Sequence, residues 1–561
     1  MAEPAGLAIG AISIPIAFKG AVDTGLFIGS FFDAQERSCG YAALCYHIEK
    51  TRLQLWGDQC KVRDPVNCTL RDSVPDLKKT VIRILGEIGG LTTDLDALVD
   101  KYDIKAPEVP ATINLDENLH PGSPGTIMIT NLLNHTKPNS KFRWVIKAKA
   151  DFEKKVERMR KLITDLYGFT LQPFEAQLLT NGLPCSVLAS VNRDDLLEVL
   201  SQLDTSTCRL LMLSARAKLH LKKIAVNPTG SATSVPSGQL EFIGQSSPSS
   251  SIALFSRSSN HKVVVQVEWN MVKAGSNMHH YVERINWLGY VLQHVSDSNL
   301  RLPPCFGLAH DSSFNGGKKI GYIFGLPGAE HNQSRHTVSK YEEDLITYPP
   351  ISLTELIKGQ NGRQIKLPGN RGTASIPILG DRFSLAYILA CSFGRFHAAG
   401  WLHKGFHSGN IIFFQLKNGR GIDVTEPYIT GFQYSRPQDA NSLSSSPLEL
   451  KALEHYYHPD AKKGFTRGLD LYSLGVVLCE IGRWKLLASA SKDLPKTREA
   501  WRDYLVGKVV EDLGWRMGER YQGVVRTLLN TGQLPPDNVT YEYFAKQFIE
   551  KVMKPLASCS A

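Results

Sequence analysis

Between Asn227 and Ser251 this chain of 561 residues loses most of its apolar side chains. Asn227-Pro228-Thr229-Gly230 and Ser246-Ser247-Pro248-Ser249-Ser250-Ser251 fall in this stretch, and such composition buries too little surface to offset its ordering entropy. One hydrophobic core therefore cannot run through the whole chain. The length also exceeds the roughly 100–200 residues of a single domain. The expected division is a helical bundle over residues 1–222, a linker or mobile segment over 223–254, and a second domain over 255–558.

With 42% hydrophobic and 21% charged residues, the composition is that of a soluble globular protein. Ten cysteines include no CxxC pair and no metal-ligand spacing, so reduced thiols, no metal site and a cytoplasmic location are expected. The opening Met-Ala-Glu-Pro carries an acid where a secretory signal carries positive charge, and Ala2 excludes myristoylation. A net charge of +10 permits an anionic partner. Zinc knuckles, RNP aromatics and helix-turn-helix patterns are all missing from the sequence, which argues against nucleic acid.

The segment from Gly6 to Phe32 is strongly apolar, and GxxxG spacings occur at Gly6/Gly10 and Gly25/Gly29. Lys19 and Asp23 interrupt it, each costing roughly 2.5–3.5 kcal/mol at a bilayer centre. It reads as the buried first helix of a soluble bundle at rest. Its length, the i,i+4 placement of the two charges and its glycines also suit conditional membrane insertion. Leu77, Val81, Ile84, Ile88, Leu91, Leu95 and Leu98 recur at helical spacing behind a capping-box-like Ser73-Val74-Pro75-Asp76. A second stripe, Val145, Phe152, Val156, Met159, Ile163 and Leu166, follows a loop expected over 103–140. Lys147, Lys154, Lys155, Arg158 and Lys161 stud its polar side, either as a solvated face or as a surface for anionic lipid headgroups. Further helices are expected over Asp194–Leu203 and Thr207–Lys223.

Met-Ala-Glu-Pro-Ala-Gly-Leu, the Gly-rich apolar first helix and Thr51-Arg52-Leu53-Gln54-Leu55-Trp56-Gly57 together resemble the fungal HeLo, or prion-inhibition and propagation, domain. The resemblance covers about residues 1–220. It implies an all-α bundle whose N-terminal helix is released into a membrane, causing cell death in heterokaryon incompatibility.

In the second half, Val263–Trp269 reads as a strand followed by a helix carrying Glu283, Ile285, Leu288 and Leu292. A strand over Gly321–Pro327, a short helix over Ile351–Ile357 and a long helix over Arg382–Gly400 come next. They lead into His403-Lys404-Gly405-Phe406-His407-Ser408-Gly409-Asn410 and the apolar Ile411–Phe414. This order resembles the bilobal α+β protein-kinase fold, over about residues 255–558. Phosphoryl transfer there needs an aspartate against the acceptor hydroxyl and another on the metal. Gly405 stands at the first position and Gly431, before Phe432, at the second. The strand interior has no lysine to pair with Glu283, and no Gly-x-Gly-x-x-Gly precedes it. Asp470-Leu471-Tyr472-Ser473-Leu474-Gly475 resembles the kinase helix whose aspartate braces the catalytic loop.

The combination implies a pseudokinase, not an enzyme and without an assigned cofactor, although nucleotide binding stays possible. HeLo-like bundle and pseudokinase together are similar in architecture to the mixed-lineage kinase-domain-like executioners of animal necroptosis. The expected protein is a cell-death effector that answers an upstream signalling protein, oligomerises with itself and moves to anionic plasma membrane on activation. Two alternatives stand: a soluble signalling scaffold, and a residual ATP-dependent phosphotransferase using Asp423 as metal ligand.

Overall fold

The computed structural model describes residues 9–23, 37–64, 66–101, 149–203, 208–226, 230–243, 250–258, 261–275, 278–325, 350–359, 376–414, 422–437, 451–462, 465–487, 495, 497–530, 534–535 and 540–560. They pack as two units. The first comprises Met1–Leu183 with Arg193–Leu200, and the second Pro184–Asn192 with Ser201–Ala561.

The first unit is all-helical, as the apolar periodicities predict. Its helices are α1 (Ile9–Asp23), α2 (Arg37–Gln59), α3 (Pro75–Lys101), α4 (Lys149–Thr170), α5 (Pro173–Ser190), which continues into the second unit, and α6 (Asp194–Ser201). Helix α3 buries Val81, Ile84, Leu85, Ile88 and Leu95; α4 buries Phe152, Val156, Met159, Leu162, Ile163 and Leu166. Each such side chain, taken from water, contributes about 1.5–3 kcal/mol. Helix α1 lies close on α3: an added Cβ at Gly89 would sit 3.6 Å from the Gly20 carbonyl oxygen. Among the described residues no helix is long and apolar enough to cross a membrane.

The second unit takes in α7 (Arg209–Val226), which packs against a later helix, α8 (Met278–Val295). Arg209 pairs with the buried Asp297 at 2.7 Å. Lys218 Nζ reaches back to the end of α5, donating to the carbonyls of Leu188 (2.6 Å) and Val191 (2.9 Å) and to Asn192 Oδ1 (2.7 Å). A cation there satisfies helix-terminal carbonyls and opposes the negative end of the dipole.

A six-stranded sheet follows, made of β1 (Ser234–Val235), β2 (Leu240–Ile243), β3 (Ser250–Ser258), β4 (His261–Lys273), β5 (Cys305–His310) and β6 (Gly317–Gly325). The strand order is β1-β5-β6-β4-β3-β2, antiparallel except for β1 with β5. Residues 223–254, expected from composition to be linker, therefore contain two strands and the start of a third. The physical reason is local: Val235 and Leu240 anchor that polar stretch in a core with Phe255, Val265, Val267 and Ile323. Pairing with β5 and β3 then satisfies its backbone groups.

β4 alternates strictly. Val263, Val265, Val267 and Trp269 enter that core, while Val264, Gln266, Glu268 and Asn270 occupy the opposite face. Beyond the sheet come β7 (Ile351–Ser352), α9 (Leu353–Lys358) with a Ser352/Glu355 capping box, α10 (Leu379–Ala398), β8 (Trp401–Leu402), β9 (Ile411–Phe413), β10 (Tyr428–Ile429) and β11 (Arg436–Pro437). The chain ends in α11 (Arg467–Arg483), α12 (Arg498–Tyr504), α13 (Val510–Leu529), α14 (Tyr541–Phe548) and α15 (Lys554–Ala557). Helix α11 is the centre of this part, buried from Leu469 through Gly482.

Candidate functional site

The loop between β8 and β9 is fixed from below by Asp470. One carboxylate oxygen accepts the amide of His403 and the other that of Lys404, each at 2.9 Å, and the His397 imidazole lies 3.1 Å away. A buried carboxylate with three donors is well compensated, and its removal would strand two backbone N–H groups. The His403 ring donates through Nε2 to the Thr430 carbonyl at 2.9 Å, and burial pushes its pKa down. It sits among Phe393, Phe406 and Phe432; Phe432 in turn meets Trp401 and Phe396.

Asn410 is committed to the loop itself. Its Oδ1 accepts the His407 amide at 3.1 Å, and its carbonyl accepts that of Thr430 at 2.9 Å. Gly431 has φ +81°, and a Cβ there would lie 1.8 Å from Asn410 Nδ2. Asparagine and glycine thus share one space, which a side chain at 431 cannot enter without displacing Asn410. Gly405 abuts Tyr434, which an added Cβ would approach to 3.1 Å. Asp423 accepts the Thr425 amide at 2.8 Å and its hydroxyl at 2.6 Å, closing a turn.

On the sheet side, Ile252, Leu254 and Val264 pack on Ile412, Phe414 and Tyr428. Beside this apolar contact, Glu268 Oε2 accepts the Gly431 amide at 3.1 Å. Burial raises the carboxyl to about 7, against hydrogen bonds from the Gly431 amide and Thr430 that favour its charged form. Glu283 does not take the inward position on α8. It is exposed and pairs with His279 and His280 of its own helix at 3.3 and 3.6 Å, while Arg284 is the residue turned inward. Glu268 and Arg284 carry contacts that motif reading passed over. The available signal was a polar row, Gln266-x-Glu268-x-Asn270, in an otherwise apolar strand.

In the helical unit, Arg52, Trp56 and Gly57 each hold the bundle together. Glu49, fully buried, receives Arg52 at 2.6 Å and Arg160 at 2.8 Å. Trp56 Nε1 donates to Thr170 Oγ1 at 2.8 Å. Phe18 of α1 packs on Trp56 with centroids 5.9 Å apart and fills the space over Gly57, where a Cβ would come within 2.0 Å of its Cζ. Lys19 is exposed and Gly10 lies in α1; Asp23 is its last residue. Gly6, Gly25, Gly29 and Lys147 lie outside the described residues.

The polar side of α4 is partly committed within the unit. Lys155 pairs with Asp94 at 2.8 Å and Arg158 with Glu87 at 2.7 Å, both acids on α3. Lys154 and Lys161 remain exposed. Among the described residues no group of three or more His, Cys, Asp or Glu is placed to hold a metal.

Residues 6–180 match the HeLo family, described as prion-inhibition and propagation. Residues 324–558 match a domain of unknown function, DUF7580. No curated protein matches the chain.

Proposed function

We propose, taking the HeLo match over residues 6–180 as premise, that this is a fungal cell-death or incompatibility effector. In this reading a kinase-like unit without phosphotransferase chemistry restrains a helical bundle that permeabilises membrane when released. The observation that carries the second half is the mutual fit of Asn410 and Gly431 above the Asp470 brace. A loop held this firmly, at a place where hard oxygen ligands would have to gather round Mg²⁺, has its one amide side chain turned to structural use. In this reading the apolar contact of Ile252, Leu254 and Val264 with Ile412, Phe414 and Tyr428 takes the place of a nucleotide base.

The bundle reading is supported by its sockets. Phe18 and the Gly20–Gly89 approach give α1 a defined resting place, and the ion pairs to Asp94 and Glu87 absorb part of the charge that would attract headgroups. In this reading the resting protein stays in the cytoplasm and, once released, assembles with itself at anionic plasma membrane. Those same ion pairs favour the second reading, a soluble scaffold, if they persist under all conditions.

Dye release from anionic vesicles separates the two. The effector reading expects leakage from the full chain once it is oligomerised, weakened about fivefold per charge by Lys154→Ala and Lys161→Ala, at about 1 kcal/mol for each lysine near the surface. Absence of vesicle binding and leakage under every oligomerising condition would sink it.

A further inference from the structure

Helix α2 is followed at once by Cys60, and the chain leaves that point only to return to it at Cys68. Lys61 turns the backbone left-handed, φ +51°, with its amide on the Asp58 carbonyl at 3.2 Å. Asp64 then folds the loop on itself, accepting the amides of Val66 and Asn67 at 3.1 and 3.2 Å and the Asn67 side chain at 2.6 Å. The return is fixed at the Cys60 carbonyl, which accepts the Thr69 amide at 3.1 Å and its hydroxyl at 3.4 Å. One peptide unit and one hydrogen bond thus join the Cα atoms of Cys68 and Cys60, which leaves them within the roughly 4.4–6.8 Å that a disulfide spans. Both are free thiols here; Cys60 is buried and Cys68 half-exposed.

The loop bracketed by the two cysteines also covers the docking place of α1. Val62, fully buried, donates its amide to the Gly57 carbonyl at 2.9 Å. The Arg63 guanidinium lies over the Phe18 ring, 5.6 Å from its centre. The ring that seats α1 therefore touches this loop as well as α2. Whatever closes the loop tightens the seat.

We propose that Cys60 and Cys68 are a redox modification site, a dithiol that a hydroperoxide converts to a disulfide, and that the disulfide holds the loop down over Phe18. Cys68, being reachable from solvent, meets the oxidant. Its thiolate sulfur attacks one peroxide oxygen; the S–O bond forms, the O–O bond breaks, and the other oxygen leaves with a proton as water or an alcohol. The Cys60 sulfur then attacks the sulfenic sulfur; the S–S bond forms, the S–O bond breaks, and hydroxide departs as water with the Cys60 proton. Two thiols lose two electrons and the hydroperoxide takes them up. Burial pushes the Cys60 thiol up to about 12, against the hydrogen bond from Thr69, which suits it to this second step and not to the first. The inference stands on the bundle alone and does not depend on membrane activity.

The test uses the full chain, reduced and then exposed to one equivalent of hydrogen peroxide, with thiols blocked before digestion. A peptide linked through Cys60 and Cys68, lighter by two hydrogens than its reduced parts, is expected. Hydrogen exchange of the α1 amides should slow on the order of tenfold in the linked chain, because a closed loop has fewer open states, and dithiothreitol should restore the original rate. In Cys60→Ala, and separately in Cys68→Ser, peroxide should leave α1 exchange unchanged; the second, at a half-exposed position, keeps the test decisive if the first misfolds. The proposal is overturned if peroxide takes Cys68 to the sulfinic acid or joins it to another cysteine in place of Cys60. It is equally overturned if the linked chain exchanges its α1 amides as fast as the reduced one, or if Cys68→Ser responds to peroxide as the wild type does.

Discussion

Gly57 and Phe18 offer a test in which the sign of an effect, more than its size, carries the information. Phe18 is 1% exposed and fills the space over Gly57, so Phe18→Ala should cost about 3–5 kcal/mol in lost transfer and cavity energy. Gly57 lies inside α2, where alanine is preferred by about 1 kcal/mol on helix propensity alone. A Cβ at 57 falls 2.0 Å from the Phe18 Cζ, so ring and methyl cannot coexist. Gly57→Ala alone should therefore expel the ring, losing about 3 kcal/mol of packing against the 1 kcal/mol of propensity, a net cost of about 2 kcal/mol. With Phe18 already alanine there is nothing to expel, and the same substitution should stabilise by about 1 kcal/mol. Hydrogen exchange of the α1 amides in the full chain reads the local opening. Gly57→Ala should speed exchange there roughly 30-fold, and in the Phe18→Ala background should slow it. The same sign in both backgrounds would refute the socket as the determinant of α1 docking.

Two further outcomes concern the second unit. Gly431→Asp, which puts a carboxylate back at the position expected to bind metal, should destabilise by roughly 2–4 kcal/mol through its φ of +81° and the collision with Asn410, measured by denaturant unfolding. It should acquire no Mg²⁺-dependent ATP binding, and a magnesium-dependent thermal shift would refute the steric argument. Glu268, raised from 4.5 to about 7 by burial, binds its proton more tightly when folded, so its contribution is most favourable below about 4.5, declines as pH rises to about 7 and is level beyond. Glu268→Gln should flatten that decline, gaining at most about 3 kcal/mol at pH 8 while keeping an acceptor for the Gly431 amide; an unchanged pH–stability curve would contradict it.

Much of the architecture was legible because it rests on periodicity. The stripe from Leu77 to Leu98 becomes α3, Phe152 to Leu166 lines α4, and Asp470-Leu471-Tyr472 lies in the first turns of α11, buried from Leu469 through Gly482. The loop 403–410 stood out in the sequence between its two apolar flanks. What holds it could not be read there, since the close approach of Gly431 to Asn410 and the Glu268 hydrogen bond join residues remote in sequence. Val235 and Leu240 illustrate the same limit: their Ser- and Gly-rich neighbours signal a linker, while partners contributed by β3 and β5 make them strands. Glu283 is exposed, one residue away from the inward-turned Arg284. A single residue is 100° of rotation, which exchanges a buried face for an exposed one.

The reach of Lys218 to the end of α5 bears on where this protein can be divided. Helix α7 follows the bundle in sequence, yet it packs with the sheet and helices that come after it, and its lysine closes the carbonyls of Leu188 and Val191. A gene fragment ended at residue 222 would cut α7 within its last turn and carry Leu213 and Leu221 away from those neighbours, leaving them uncovered. A division that keeps α7 with its neighbours therefore falls before Arg209 and not in the serine-rich stretch that follows.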